Sequence, residues 1–296
     1  MAEIIKFTVS KEHDGTKAGR YLRTVCRLSA RTLAQLKRTE NGLTINGQLL
    51  RSIDNVYAGD VIEMRLKSEE NSITPVEGEL DILYEDGYIL IVNKPAGMPV
   101  HPVKKHQLDT LANIVSYRYM NSGSDFLFRA ANRLDSDTSG AVIIARDRHT
   151  ASLLQGADIE KHYIAVCHGK IAEKGTVDSP IALKPDSKIV RHISENGKPA
   201  VTHYEPIVSL NDATVIDLHL ETGRTHQIRC HMSSIGHPLF GDDLYGGSIE
   251  LIPRQALHCH EISFIHPILN TKIDIKADVP KDIAELIDIL SEGDLP

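Results

Sequence analysis

The first clear pattern of apolar positions lies near the start of the chain and has helical spacing. Between residues 18 and 36, apolar side chains recur every three or four positions, as expected for a helix with one buried face. These side chains are Leu22, Val25, Cys26, Leu33 and Leu36. The pattern is interrupted at Leu28 and Ser29, and serine is a favourable N-cap residue. We therefore predict two short consecutive helices, the second capped by Ser29.

A different pattern follows the two helices. Residues 42–48 alternate in polarity around an Asn46–Gly47 pair, which is typical of a tight β-hairpin turn. Residues 58–64 predict another turn that leads into a strand. The polar stretch that begins at Lys67 has no periodicity, and we interpret residues 69–78 as a linker.

Beyond this stretch the pattern is rich in strands. Strands are predicted at residues 80–85, 88–93, 141–146, 163–168, 201–208 and 214–220. Helices are predicted at residues 110–120, 148–156 and 225–235, with Gly236 as a C-cap. Strands that alternate irregularly with a few helices predict an α+β fold with a mixed, mostly antiparallel sheet and flanking helices.

Charge changes the picture locally. The chain carries 33 basic and 40 acidic residues, a net charge of −7, which at first argues against a nucleic-acid partner. Residues 17–38, however, contain no acidic residue. They include Lys17, Arg20, Arg23, Arg27, Arg31, Lys37 and Arg38. A basic surface on an acidic protein favours selective RNA binding, and the alternative is a solvated helix face.

Cysteines and apolar runs indicate the compartment. The four cysteines form no Cys-x-x-Cys pair, and no signal-like apolar stretch follows the polar start. The longest apolar runs, at 89–92 and 141–145, are far shorter than the roughly 20 residues needed to cross a bilayer. We therefore expect a cytoplasmic protein without a membrane span.

The N-terminal elements resemble a known RNA-binding module. The order helix, helix, GLTINGQ, VYAGDVIEM over residues 15–67 is similar to the alpha-L module, the type first known from ribosomal protein S-four. The resemblance implies that the basic helical pair rests against an RNA backbone. We expect an alpha-L domain at 1–68, a linker at 69–78 and a larger domain at 79–296.

The segment 132–146 is the most informative part of the larger domain, because a polar turn leads directly into an apolar strand there. A calcium loop would need a bidentate glutamate at its twelfth place, where this chain has Arg146. The other structural interpretation of Asp135 is an Asx turn, and the local sequence alone leaves it open.

A second resemblance covers residues 81–267 in five ordered blocks. These blocks are DILYEDGYILIVNKPAGMPVHP, NRLDSDTSG, KHYIAVCHG, GRTHQIRCHMSSIGHPLFGDDLYG and RQALHCHEISFIHP. Together they resemble the RluA-type pseudouridine synthases, which isomerise uridine in RNA. This chain departs from the pattern at Asn132, where many members have histidine before the Arg-Leu-Asp sequence.

The resemblance implies a set of site residues. Asp135 would be the catalytic carboxylate, adding to the sugar or to the base or starting an elimination. Arg229 would pair with it and keep it ionised. Tyr163 would stack on the base, and its hydroxyl is a possible proton acceptor at C5. Arg133 would fill the space left by the flipped base or contact a phosphate.

Other functions are less well supported by the residues. Five histidines suggest a metal hydrolase, but their spacing does not fit a helical zinc motif. They are His226, His231, His237, His258 and His260. A glycosidase would need a second carboxylate and a sugar cleft, and only Asp137 offers one. A non-catalytic RNA-binding or ribosome-assembly protein on the same fold remains the main alternative.

The partners follow from the enzyme hypothesis. We expect RNA, with ribosomal RNA favoured over transfer RNA because of the alpha-L module, and a monomer that is not bound to membranes. Neither a cofactor nor a metal is expected, since the isomerisation is redox-neutral and consumes no high-energy bond.

Overall fold

The computed structural model describes residues 3–28, 30–66, 73–120 and 126–292. The N-terminal elements are β1 (Glu3–Thr8), β2 (Thr16–Lys17), α1 (Ala18–Thr24), α2 (Ala30–Arg38), β3 (Leu43–Ile45), β4 (Gln48–Leu49), β5 (Asn55–Val56) and β6 (Val61–Leu66). Four of the strands form an antiparallel sheet in the order β1-β6-β3-β4, and β2 pairs with β5.

The predicted hairpin is confirmed between β3 and β4. Asn46 and Gly47 both have positive φ, at 48° and 82°, as a type I′ turn requires. The Asn46 side chain also accepts a hydrogen bond from the Val61 backbone N–H at 2.9 Å and donates one to Asp60 at 2.7 Å. The turn is therefore joined to the start of β6.

Both predicted N-terminal helices are present. Four of the five predicted apolar positions, Leu22, Cys26, Leu33 and Leu36, are buried in one core. The fifth expectation is wrong, because Val25 lies at the end of α1 and is 36% exposed. Ser29, the predicted cap of the second helix, lies outside the described residues.

The second part of the chain contains twelve described strands and four described helices. The strands are β7 (Asp81–Glu85), β8 (Ile89–Lys94), β9 (Arg129–Ala130), β10 (Ser139–Ala145), β11 (Ile159–His168), β12 (Gly175–Asp178), β13 (Ile181–Leu183), β14 (Arg191–Ile193), β15 (Val201–Ser209), β16 (Ala213–Leu220), β17 (Leu257–Ile265) and β18 (Lys272–Lys276). The helices are α3 (Leu111–Met120), α4 (Arg148–Leu154), α5 (Gln227–Ser234) and α6 (Lys281–Glu292).

One large sheet organises these elements. Its order is β12-β15-β16-β11-β17-β10-β8-β7, with β18 paired to β17 and β9 to β10. The pairs are antiparallel except for β10 and β17, which are parallel. The predicted mostly antiparallel sheet and the α+β class are confirmed.

Several elements were not predicted, and β17 is the most important of them. It lies between β11 and β10, near the centre of the sheet. Its histidines, His258 and His260, obscure the apolar signal of a central strand. The helix α6 and the β13–β14 pair were also missed.

Residues 3–66 and the large sheet have separate cores. The second half of the predicted linker lies against the second core, because the Asn113 side chain donates to the Thr74 carbonyl at 2.7 Å and Ile73 packs on that core. Phe7 of β1 meets His149 of α4 edge to face, with ring centroids 5.8 Å apart. The domain limits at 68 and 79 remain a prediction.

Candidate active site

Asp135 lies in the turn that connects β9 to β10. The Thr138 backbone N–H donates to the Asp135 carbonyl at 3.2 Å and closes the turn. Asn132 fixes its start, since its amide donates to the Ala141 carbonyl at 3.0 Å and accepts from the Ile143 N–H at 2.8 Å. Among the described residues, no backbone N–H donates to the Asp135 carboxylate, so Asp135 does not form an Asx turn.

A buried lysine supports this turn from beneath. The side chain of Lys94 is fully buried at the end of β8. Its ammonium group donates to the carbonyl oxygens of Pro95, Met98 and Ser136 at 2.7, 2.7 and 2.9 Å. Burial lowers the pKa of Lys94 to about 7. Because Ser136 follows Asp135 directly, Lys94 fixes the backbone that carries the carboxylate.

A buried arginine holds the other side of the turn. Arg254 donates to the Asp137 carbonyl at 3.0 Å and forms a bidentate ion pair with Asp282 of α6, at 2.6 and 2.8 Å. Such forked pairs have a well-defined geometry. Next to it, Gln255 donates to the Thr138 hydroxyl at 3.2 Å. The C-terminal helix therefore helps to position the turn, which the sequence did not reveal.

A glycine allows the strand after the turn to approach β17. Gly140 has φ +119°, and a Cβ atom there would collide with the Cys259 backbone. Cys259 in turn lies opposite Tyr163 in the β11–β17 register. Tyr163 is 6% exposed. Burial, the neighbouring Cys259 and Asp135 raise the pKa of Tyr163 well above 10, so its hydroxyl is neutral near pH 7.

Arg229 lies on α5 and faces two carboxylates. Its Nη1 is 3.4 Å from Asp135 Oδ2, so the predicted pairing is present in the structure. Its main partner, however, is Asp242, which accepts from Nε and Nη2 at 2.7 Å each. The Asp242 side chain is fully buried, and the Arg229 guanidinium also lies over the Tyr245 ring at 5.1 Å. Arg229 is thus held in place by groups that the sequence did not indicate.

The three predicted catalytic side chains line one cleft. The residues that form it are Arg133, Leu134, Asp135, Thr138, Tyr163, Leu220, Arg224, His226, Gln227, Ile228, Arg229 and Leu257. His226 was not predicted as a site residue, yet its Nε2 lies 3.8 Å from Asp135 Oδ2. Its position directly before Gln227-Ile228-Arg229 was the available signal. The cleft therefore combines a carboxylate, a cation and an aromatic ring.

Arg133 stands at the border between this cleft and a basic groove. It is exposed, and its Nη2 donates to the Thr225 hydroxyl at 3.1 Å. The groove has a volume of about 480 Å³, and its charged lining residues are Arg133, Arg191, Lys198 and Arg224. No carboxylate lines it. Such a surface favours phosphate groups.

The predicted basic residues of the N-terminal helices lie apart from the cleft. Five of them are exposed, and none of the five takes part in a described ion pair. These are Arg20, Arg23, Arg27, Lys37 and Arg38. None of them lines the cleft. The side chain of Arg31 falls outside the described part of the structure.

The histidines considered as metal ligands have other partners. His231 bonds to the Thr202 hydroxyl and the Ser179 carbonyl, both at 2.9 Å. His258 bonds to Ser139 at 2.9 Å and to the Ala277 carbonyl at 3.2 Å. Within the described ranges no three His, Cys, Asp or Glu side chains are grouped to hold a metal ion. No helix in the same ranges is long and apolar enough to cross a membrane.

Comparisons with known proteins show which family this chain is similar to. Residues 88–234 match the family model described as RNA pseudouridylate synthase. The chain is 37% identical over 290 residues to the uncharacterized RNA pseudouridine synthase YhcT of Bacillus subtilis, covering 95% of this chain and 96% of that protein. It is 35% identical over 267 residues to ribosomal large subunit pseudouridine synthase D of Xylella fastidiosa, covering 84% of this chain and 81% of that one.

A solved structure shows the same fold. Human RNA pseudouridylate synthase domain containing 4 superimposes with a TM-score of 0.58 at 23% identity, over 71% of this chain and 92% of that one. The predicted resemblance is therefore confirmed by sequence identity along most of the chain and by the fold. This chain belongs to the RNA pseudouridine synthase family, of the RluA type, and is an isomerase that acts on RNA.

Proposed function

We propose that this pseudouridine synthase acts on large-subunit ribosomal RNA, with Asp135 as the catalytic carboxylate. The observation that carries the catalytic assignment is the geometry of the cleft, in which Asp135 faces Arg229 at 3.4 Å beside Tyr163. The choice of RNA is supported by the similarity to a ribosomal large subunit synthase over 84% of this chain.

The reaction exchanges two bonds to the same sugar carbon. The bond from C1′ to N1 of uracil breaks, and a bond from C1′ to C5 forms. One proton leaves C5 and one is added at N1, so the atoms balance without a redox partner. A carboxylate at the sugar can add to C1′, add to the base, or remove a sugar proton to start elimination. Asp135 has the position to act in each of these ways.

Arg229 and Tyr163 would divide the supporting roles. The Arg229 cation lies 3.4 Å from Asp135 Oδ2 and would orient that carboxylate toward the substrate. Tyr163 offers a nearly buried ring on which a base can stack. Its raised pKa leaves the hydroxyl protonated near pH 7, so the hydroxyl can take the C5 proton only if its own proton leaves to another acceptor in the same step.

The target uridine must leave its stack to reach Asp135, since a paired base cannot contact the carboxylate. Arg133 is placed to serve this step, because it is exposed at the border of the cleft. Its planar cation can stack where the base has left. The adjacent basic groove, with Arg191, Lys198 and Arg224, would hold phosphates next to the flipped nucleotide.

The N-terminal basic surface would add sequence-independent affinity. We assign Arg20, Arg23, Arg27, Arg31, Lys37 and Arg38 to RNA binding by an alpha-L domain. The described members of this set are exposed and unpaired within the described structure, as phosphate contacts require.

All four cysteines are free and buried, which supports a reducing, cytoplasmic compartment. We also propose that the enzyme acts as a monomer.

The central test compares two neighbouring aspartates. Asp135→Asn should abolish pseudouridine formation while leaving RNA affinity and unfolding temperature near those of the parent. Asp137→Asn is the matched control, because Asp137 is exposed and contributes its backbone carbonyl to Arg254. Modification maps of ribosomal RNA from cells with and without each variant would identify the target uridine. Substantial turnover by purified Asp135→Asn would refute the assignment.

The RNA-binding proposal has its own test. A variant with Arg20, Arg23, Arg27 and Arg31 changed to glutamine should bind RNA more weakly, with a salt dependence flattened by about 0.7 to 0.9 log units per lost phosphate contact. Turnover at saturating RNA should persist, because phosphate contacts position the substrate. An unchanged salt slope would instead assign binding to the groove around the cleft.

A further inference from the structure

His226 has an unusual backbone for its position. It precedes α5 with φ 55° and ψ 24°, in the left-handed region, and its side chain makes no capping bond. A non-glycine residue rarely adopts this conformation, which persists where the surroundings determine it. The imidazole is 13% exposed and lines the cleft. The strained backbone therefore directs a titratable ring toward Asp135.

The second ring nitrogen of His226 is held by a tyrosine hydroxyl. Nδ1 lies 3.0 Å from Tyr245 Oη. The same oxygen accepts a hydrogen bond from the Arg191 backbone N–H of β14 at 2.8 Å. Among the described residues, His226 Nδ1 is the acceptor available to the Tyr245 hydroxyl proton. This places the imidazole proton on Nε2, the atom 3.8 Å from Asp135 Oδ2.

Two N–H groups thus approach the same oxygen of Asp135. Arg229 Nη1 is 3.4 Å from Oδ2, and His226 Nε2 is 3.8 Å from it. Both donors depend on Tyr245, whose hydroxyl holds His226 and whose ring lies under the Arg229 guanidinium. Oδ1 has no described hydrogen-bond partner. The described contacts of the carboxylate therefore fall on Oδ2.

We propose that His226, held by the Tyr245 hydroxyl, is a positioning residue that orients the Asp135 carboxylate so that Oδ1 faces the substrate. This inference rests on the proposed catalytic role of Asp135. The charged and titratable groups that line the cleft with that carboxylate are Tyr163, His226, Arg229, Arg133 and Arg224. Asp242, Arg191, Lys94 and Asp137 lie next to these groups.

The test uses two variants that act on the same chain of contacts. His226→Asn removes the imidazole and keeps a residue type that tolerates the left-handed backbone. Tyr245→Phe removes the hydroxyl and keeps the ring under Arg229. For each we expect kcat to fall about tenfold with little change in KM, because a misoriented carboxylate reacts more slowly while the substrate still binds. The double variant should lose little more than the larger single loss, because both act through one path.

The split between kcat and KM, compared with the unfolding temperature, separates positioning from mere support of the fold. Loss of the orientation of Asp135 should lower kcat in both variants while KM and the unfolding temperature stay near those of the parent. Tyr204→Phe and His219→Asn are matched controls on β15 and β16, outside the cleft residues, and should leave kcat unchanged.

The possible outcomes are distinguishable. Lower kcat at a parental KM and unfolding temperature in both variants supports the inference. Parental kcat in both would overturn it, as would a kcat loss that appears only together with lower stability. If Asp135→Asn itself retains turnover, the proposed function fails instead. An inactive Asp135→Asn with a fully active His226→Asn removes only the role of His226.

Discussion

Replacing Arg229 by alanine should destabilise the protein strongly, because it leaves a buried carboxylate without a partner. The Asp242 side chain is fully buried, and its two oxygens accept from Arg229 at 2.7 Å each. Breaking such a pair from one side costs about 3–5 kcal/mol. For a domain of this size, ~1 kcal/mol corresponds to roughly 2–4 °C in unfolding temperature. The unfolding temperature of the variant should therefore be about 6–20 °C lower than that of the parent.

The same substitution should also reduce activity beyond its effect on stability. Asp135 loses the cation at 3.4 Å, so the carboxylate is less well oriented for the reaction. Thermal unfolding and single-turnover pseudouridine formation, measured well below the unfolding temperature, would report the two effects separately. The exposed Arg23→Ala is a matched control for stability, and its free energy of unfolding should change by no more than about 0.5 kcal/mol.

A double variant shows which carboxylate carries each effect. Arg229→Ala combined with Asp242→Ala removes both buried charges and should recover much of the lost stability, since no uncompensated charge remains. Turnover should stay low, because Asp135 still lacks its cation. An Arg229→Ala protein that is as stable as the parent would refute the buried-pair reasoning. Recovery of full turnover in the double variant would refute the role of Arg229 at Asp135.

Three further predictions follow from the site. Tyr163→Phe should bind RNA like the parent, whereas Tyr163→Ala should lose the roughly 1–3 kcal/mol of one stacked base, as measured by RNA titration. A kcat loss of about 10² or more in the phenylalanine variant would assign proton transfer to the hydroxyl. Gly140→Ala should prevent β10 from approaching Cys259 and lower the unfolding temperature markedly, while Gly156→Ala, with ordinary space around it, should be nearly neutral; equal stability of the two would contradict this packing. Burial lowers the pKa of His258 to about 4 from 6.5, so its contribution to stability is complete above pH 6.5 and is lost as the pH falls toward 4, with a slope of up to about 1.4 kcal/mol per pH unit. The urea concentrations at half-unfolding, measured at about pH 7 and about pH 5, should therefore differ less in His258→Gln than in the parent.

The sequence by itself determined the features that depend on short stretches of chain. Asn46–Gly47 predicted its hairpin because the required positive φ angles are a property of those two residues. The helical spacing of apolar residues around Leu22 and Leu33 predicted α1 and α2, because that spacing is also a property of a short stretch of sequence. Asp135, Tyr163 and Arg229 were predicted from ordered sequence blocks, and the structure brings all three residues into one cleft.

Only the tertiary structure decided what holds the candidate site in place. Lys94 supports the turn through Ser136, which is 42 residues away, and Arg254 holds the same turn across 117 residues. Arg229 has Asp242 as its main partner, a choice that depends on how α5 meets the following loop. Local propensity contains no information about such pairs, because the free energy of a buried ion pair or hydrogen bond depends on which segments exclude water together. The polar residues that make β17 unlike a central strand in sequence are satisfied only after that burial, as His258 is by Ser139 and Ala277.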